Sequence, residues 1–129
     1  MLVVKPVEDK TYQEELCREA GVKYIPDAMA YVVHVDTFTA GMCQFGLSGN
    51  TGTIYSFMPI GRGKDDTEAM FIMGRTVLSF IESCGMEYAD ISDAETTERL
   101  KYVIGFKEGS DGRFVMRIKG IFEHHCNGN

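Results

Sequence analysis

The stretch MPIGRGKDDTEAM, residues 58–70, decides how the rest of this chain is interpreted. Two glycines and two cations, Gly61, Arg62, Gly63 and Lys64, stand directly before a segment with the apolar spacing of a helix. Backbone N–H groups at the start of a helix have no intrahelical partner and lie at the positive end of its dipole, where phosphate binds in many proteins. The stretch therefore predicts an anion-binding loop between a strand and a helix.

The acidic residues that follow favour a second interpretation of the same loop. Asp65 would cap the helix, and Glu68, three residues later, would complete a capping box. A phosphate about 4 Å from a carboxylate is repelled by on the order of several kcal/mol at an effective dielectric constant of about 20, whereas a dipole or cap contributes only about 1 kcal/mol. Residue types alone leave both interpretations open.

Composition predicts a single folded domain that spans residues 1–129. The chain has 44% apolar and 25% charged residues, which is ordinary for a globular protein. Its net charge of −6 and the absence of a basic cluster interleaved with aromatics argue against nucleic acid as a partner. The apolar runs are far shorter than the roughly 20 residues that span a bilayer, and the start MLVVKPVEDK does not resemble a signal peptide. We therefore expect no membrane partner and a cytoplasmic location.

Cysteine and histidine spacing predicts no metal site. The four cysteines show no C-x-x-C pair, so we expect Cys17 and Cys84 to be small core residues on helices. His124, His125 and Cys126 are adjacent, and neighbouring residues of an extended segment point to opposite sides. No fourth ligand has suitable spacing, so the terminal cluster is not expected to bind metal.

Hydrophobic periodicity predicts a mixed α/β fold in the order β-α-β-β-β-α-β-α-β. The pattern favours one mostly antiparallel sheet of about six strands, flanked by helices. Predicted strands cover residues 2–7, 29–38, 40–47, 51–59, 86–91 and 113–122, and predicted helices cover 11–20, 65–83 and 92–104. Gly21, Gly85 and Gly105 are the expected helix ends.

With this order and the loop after the fourth strand, the chain resembles the GNAT superfamily of acyl-coenzyme A N-acyltransferases over nearly its whole length. The loop of that family, P-x-x-R-G-x-G-x-G/A, cradles the coenzyme A pyrophosphate, and Pro59, Arg62, Gly63 and Lys64 fall on matching positions. The segment LKYVIGFKE, residues 100–108, also resembles the turn that precedes the family's last strand. The resemblance implies that the fourth strand separates from its neighbour beside Pro59, so that the loop amides face the gap.

The sequence departs from the family pattern where the chemistry is expected. Asp65 and Thr67 replace two loop glycines, and Ala94 stands where an Asn is common. Lys101 occupies the usual place of the general-acid Tyr, and Tyr102 is one position away, which rotates it by about 100° on a helix. The chain thus resembles a divergent member with a degenerate pyrophosphate loop.

The resemblance implies a set of site residues. The strand edge offered to the developing oxyanion is assigned to Phe57, Met58 and Ile60, and the coenzyme-binding residues continue through Gly61, Arg62, Gly63, Lys64, Asp65, Asp66 and Thr67. The catalytic candidates are Tyr102, Lys101 and Tyr55. Tyr55 and Asp36 lie on predicted strands and face either the cleft or the surface. Lys101 would be either a buried general acid or a solvated or ion-paired side chain. We expect the second.

Two functions follow from the resemblance. The first is an N-acyltransferase that uses acetyl-CoA or another acyl-CoA as co-substrate and a small-molecule or protein amine as acceptor. The second is a catalytically inactive GNAT-like domain that serves as a ligand-binding or protein-interaction module, which the altered positions favour. The strand after Gly112 would allow pairing in a homodimer, although nothing in the sequence requires it.

Overall fold

The structure is a computed structural model of the 129-residue chain, and it describes residues 1–92, 96, 101, 104–109 and 114–121. The strands are β1 (Leu2–Val7), β2 (Met29–Val35), β3 (Phe38–Ser48), β4 (Thr51–Pro59), β5 (Tyr88–Ile91), β6 (Lys107–Glu108) and β7 (Phe114–Arg117). The helices are α1 (Lys10–Ala20), a short 3₁₀ helix (Gly61–Asp65) and α2 (Thr67–Ser83). Most of the helix predicted over 92–104 lies outside the described residues.

The strands form one sheet in the order β1-β2-β3-β4-β5-β7-β6. Every neighbouring pair is antiparallel except β4 and β5, which run parallel. The predicted mixed and mostly antiparallel sheet is therefore confirmed. The structure has seven described strands rather than about six because β6, two exposed residues with no apolar period, escapes prediction from sequence.

The sheet is covered on both faces. On one face α2 buries Met70, Met73 and Val77 against Phe45 and other apolar side chains of the strands. On the other face α1 buries a smaller cluster with Val32, Met42 and Ile60. Both helices fit their amphipathic patterns, because their apolar residues recur every three or four positions and so form one stripe.

Helix ends differ from the sequence prediction in their caps. Gly21 adopts the left-handed conformation at the end of α1, with φ of 75°, as predicted. The start of α1 is capped by Asp9, whose carboxylate accepts the Thr11 N–H at 2.8 Å. Asp66 caps α2, and the predicted cap at Asp65 is wrong. Either of two adjacent aspartates near a helix start can serve as the N-cap, so the sequence alone does not choose between Asp65 and Asp66.

The cysteine predictions are half right. Cys17 is buried on α1, and burial, with Glu14 nearby, raises the pKa of its thiol. Cys84 was expected in the core but is exposed, because α2 ends at Ser83 and Cys84 occupies the C-cap position.

Within the described part of the chain, no helix has the length and apolar character needed to cross a membrane.

Candidate functional site

A β-bulge in β4 sets up the site. Phe45 of β3 pairs with Ile54, whereas Gln44 pairs with Ser56, so Tyr55 is an extra residue in β4. The bulge shifts the alternation of side chains: Ile54 and Phe57 both pack on the α2 face, and Ser56 points toward the α1 face. The bulge therefore changes the face to which each following side chain of β4 points, immediately before the strand leaves the sheet.

At this bulge the pairing of β4 with β5 ends. The parallel pairing covers only Thr51 to Ile54 of β4 and ends at Ile91 of β5. The Ser92 N–H still reaches the Ile54 carbonyl at 3.0 Å. Further along, the Thr96 hydroxyl donates to the Phe57 carbonyl at 3.0 Å. The described pairing of β4 with β5 therefore ends at Ile54, and beyond it Thr96 contacts β4 at Phe57. We call this edge of β4, from Ser56 to Pro59, the gap.

Of the three strand-edge residues expected to face this gap, Phe57 does so. Its carbonyl reaches Thr96 across the gap, and the N–H and C=O of one strand residue point to the same side. Met58 pairs with Met42, and the alternation along the ladder directs its backbone groups toward β3. The Ile60 N–H donates to the Ala40 carbonyl at 2.8 Å. The expectation that Met58 and Ile60 offer amides to the gap is therefore corrected.

Gly63 is fixed by packing rather than by access for a ligand. A Cβ atom at this position would lie 1.7 Å from the Ala40 carbonyl oxygen, so only glycine fits against β3. Gly63 is buried, whereas Gly61 is exposed and adopts a left-handed φ of 54°. The helix predicted over 65–83 begins at Thr67 instead, because the preceding 3₁₀ helix extends to Asp65.

The loop cations lie on the surface near the start of α2. The Arg62 guanidinium carbon stands 4.6 Å from the centre of the Phe38 ring, and Lys64 is exposed. Such cation–π contacts contribute about 0.5–1 kcal/mol at exposed sites. They hold Arg62 at the loop, where the residue is exposed beside the start of α2.

The first turn of α2 combines a cap with open donors. The Asp66 carboxylate accepts the Ala69 N–H at 2.9 Å. The N–H groups of Thr67 and Glu68 have no hydrogen-bond partner among the residues that the structure describes. The two interpretations of the loop are thus both partly realised: one helix donor is satisfied internally, while two remain open beside an acidic cap.

The catalytic candidates are dispersed. Tyr55 is on the α1 side, 37% exposed, with its hydroxyl close to Gly46. Asp36 is not on a strand but in the exposed turn between β2 and β3, where it pairs with the amino group of Met1. Tyr102 and Ala94 lie outside the described residues.

Lys101 differs from its expected environment. The expectation of a solvated side chain is wrong, because Lys101 is only 7% exposed and its Nζ lies 4.4 Å from the centre of the Phe114 ring. The alternative of an ion pair stays a prediction. The correction has a simple cause, since the end of the segment 101–106 packs on the sheet: Ile104 and Phe106 are core residues on the same face.

A buried polar network, which the sequence analysis missed, lies behind β4 on the α1 face. Gln13 Nε2 donates to Gln44 Oε1 at 2.9 Å, and Gln44 Nε2 donates to Ser56 Oγ at 2.8 Å. Gln44 also accepts the Ile25 N–H at 3.0 Å and donates to the Lys23 carbonyl at 2.8 Å. The network ties residues 23–25 to both strands. Its only signal in the sequence is a glutamine within an apolar strand.

Histidine and metal candidates lie apart from the gap. His34 of β2 contacts the Thr39 hydroxyl at 3.4 Å, and burial, with Lys5 nearby, lowers the pKa of its imidazole. Among the described residues, no group of three His, Cys, Asp or Glu side chains is placed to hold a metal ion. The cluster of His124, His125 and Cys126 lies outside those residues.

Comparison with known proteins supports the topology. No protein-family model matches the sequence, and no curated protein matches it. Solved structures do match. The ribosomal-protein-S18-alanine N-acetyltransferase of Escherichia coli is 11% identical over 92% of this chain and 95% of its own, with a TM-score of 0.67. The PaiA N-acetyltransferase of Thermoplasma acidophilum, in complex with coenzyme A, is 12% identical over 90% and 97%, with a TM-score of 0.64.

A GNAT-family protein from Desulfovibrio desulfuricans is 10% identical over 92% of this chain and 99% of its own, with a TM-score of 0.65. These identities are low, and the likeness extends over almost the whole chain in each case. Together with the bulged β4 and its separation from β5, they show that the chain has the GNAT fold.

Proposed function

We propose that this chain binds an acyl-coenzyme A, such as acetyl-CoA, and transfers the acyl group to an amine of a small molecule or protein. The observation that carries the proposal is the early end of the β4–β5 pairing at Ile54, with the open start of α2 beyond it. Solved structures of the same fold include a complex with coenzyme A.

The residues around the loop fit an anionic group. The Thr67 and Glu68 amides have no partner in the described part of the chain, and Arg62 and Lys64 are exposed beside them. Asp65 and Asp66 oppose an anion, so the binding we propose is weak compared with that of a loop without carboxylates. Gly61 and Gly63 shape the turn, and Gly63 does so through its contact with Ala40.

The protein's contribution to such a reaction is mainly orientation. A bound acyl-CoA supplies a thioester whose carbonyl carbon is attacked by the amine nitrogen. The Phe57 backbone, on the gap side of β4, would align the ligand by strand-like hydrogen bonds. It would thereby hold the thioester carbonyl oxygen near a hydrogen-bond donor. To accept such pairing, Phe57 must exchange its bond with Thr96. Lys101, Tyr102 and Tyr55 are the side chains that we propose for proton handling.

Calorimetry with acetyl-CoA and with free coenzyme A tests the proposal. We expect heat and thermal stabilisation by both ligands. Absence of both effects at millimolar ligand would remove the enzyme function and leave the second candidate, an inactive domain of the same fold. Where binding is observed, transfer is followed as thiol release from acetyl-CoA in the presence of primary amines.

Arg62→Ala should weaken coenzyme A binding by about tenfold, equivalent to about 1.4 kcal/mol, because a charge-assisted contact is lost. The matched control is Arg18→Ala, which removes an exposed arginine from the distant helix α1. Equal affinities of the two variants would show that the loop does not contact the phosphates.

A further inference from the structure

Strand β1 is the long edge of the described sheet, because β6 at the other edge has only two residues and β7 has a neighbour on each side. The Asp36 N–H donates to the Met1 carbonyl at 2.8 Å, so the backbone groups of Met1 point toward β2. Backbone direction alternates along an antiparallel strand. The N–H and C=O groups of Leu2 and Val4 therefore point outward, where no described strand pairs with them.

The two halves of this outer edge differ in how they resist pairing. Lys5 and Pro6 occupy the second half, and natural edge strands use lysine and proline to discourage pairing with another chain. By the same alternation the Pro6 nitrogen points outward, and it has no N–H to donate. The first half carries neither residue and presents Val3, which is 40% exposed. The edge is therefore open over residues 2–4 and closed beyond them.

Helix α2 leaves a groove on the side that faces β1. The groove has a volume of about 480 Å³, and its lining includes Ile72, Thr76 and Phe80, which recur every four residues and so share one side of the helix. The Phe80 ring lies 6.0 Å from the Tyr31 ring of β2, whereas the other side of α2 packs against β4 at Gly52. A strand added at the outer edge of β1 would therefore have one face beneath this groove.

We propose that a second copy of the same chain occupies this edge, paired antiparallel through β1 about a two-fold axis at Val3. Leu2 of each copy then faces Val4 of the other, and these two residues in each of two copies close four hydrogen bonds that use every outward N–H and C=O group. The two Val3 side chains become direct neighbours and lose their exposure. A register centred on Val4 would instead place Leu2 opposite Pro6 and leave the Leu2 carbonyl without a donor.

Charge also favours a second copy in this register. Lys5 would lie opposite Met1 of the second copy, next to the exposed Asp36 of that copy. The Cα atoms of Lys5 and this Asp36 would be two strands apart, about 10 Å, which the two side chains can bridge, whereas the two Lys5 residues would be about 13 Å apart along the strand. Each copy thus gains an attraction that opposes the repulsion between chains of net charge −6.

The pairing is independent of the proposed function. Strand β4, which carries the gap, is separated from β1 by β2 and β3. Three strand spacings correspond to about 14 Å, so the second copy leaves the gap open.

The test combines sedimentation velocity of the full chain over a dilution series with cysteine cross-linking. We expect twice the chain mass of 14.4 kDa at high concentration and the mass of one chain on dilution. Val3→Cys should form a disulfide across the axis under mild oxidation, because facing residues that are not hydrogen-bonded have the Cα separation that a disulfide needs. Lys5→Cys, on the same face of the same strand, is the matched control and should not cross-link. The unaltered protein controls for cross-links through Cys84, which is exposed.

Hydrogen exchange of the unaltered protein gives a second measurement that needs no substitution. The Leu2 and Val4 amides should exchange at least about tenfold more slowly in the dimer than in the diluted monomer, whereas the Val3 amide, which points toward β2, should not change. Val4→Pro removes one outward N–H and spares the pairing of β1 with β2, so it should raise the dissociation constant of the dimer by at least about tenfold.

The outcomes decide the inference whether or not coenzyme A binds. Protection of the Leu2 and Val4 amides together with cross-linking of Val3→Cys supports it. A chain that sediments as a monomer at every concentration overturns it, as does a dimer that leaves both amides unprotected. Equal cross-linking of Val3→Cys and Lys5→Cys also overturns it, because the copies would then meet without this register.

Discussion

Gly63→Ala should destabilise the protein far more than a surface glycine substitution does. The added Cβ would lie 1.7 Å from the Ala40 carbonyl oxygen and 2.5 Å from its carbon. Real Cβ atoms do not approach closer than 3.0 Å, so the 3₁₀ turn and β3 must separate by 3.0 − 1.7 = 1.3 Å. Overpacking of this kind costs about 1–3 kcal/mol. Separation also breaks the Ile60 to Ala40 hydrogen bond, which adds about 1–3 kcal/mol if a buried group is left unpaired.

The expected loss is therefore about 2–6 kcal/mol of unfolding free energy, measured by urea or guanidinium denaturation. Gly46→Ala is the matched control. Its Cβ would lie 2.7 Å from the Tyr55 hydroxyl, but that side chain is 37% exposed and free to swing away. Its stability should change by no more than about 1 kcal/mol, because alanine in a strand loses less backbone entropy than glycine. Equal losses in the two variants would refute the close contact between the turn and β3.

Two further substitutions test the gap and the polar network. Thr96→Val removes the hydroxyl that donates to the Phe57 carbonyl. Acetyl-CoA binding should become about tenfold tighter, because the ligand no longer competes with Thr96 for that carbonyl. Equal or weaker binding in calorimetry would contradict this. Gln44→Met should accelerate hydrogen exchange at the Ile25 amide by about tenfold or more, whereas Ser56→Ala should leave it unchanged because Gln44 still holds Ile25. Similar exchange in both variants would mean that the network does not fix this segment.

The order of the elements follows from the sequence because periodicity of two and of 3.6 residues reports directly on which faces are buried. The three central strands and the long helix show this most clearly, and their bounds agree with the prediction to within a few residues. The strand β6, Lys107–Glu108, has no such pattern, because both side chains are exposed. It depends on β7 as a template, and long-range pairing of this kind leaves no local signal.

The candidate site was predictable in position but not in detail. The glycines and cations marked the loop, yet the contact that makes Gly63 necessary comes from Ala40, more than twenty residues earlier. The choice of Asp66 over Asp65 as cap depends on where the 3₁₀ turn ends. Thr96 on Phe57 and Lys101 on Phe114 are contacts between distant segments, so residue types alone could not reveal them.

The short parallel pairing of β4 with β5 divides the sheet into two subdomains of unequal size. β1 to β4 form a continuous antiparallel unit, whereas β5, β7 and β6 are attached to it mainly through four paired residues of β4, a few hydrogen bonds at the two ends of β5 and the packing of α2. Such a seam is where sub-global opening should begin, with the smaller unit exchanging its amides before the larger one. A molecule held in the gap would touch both units, so binding there would couple their unfolding into a more cooperative transition.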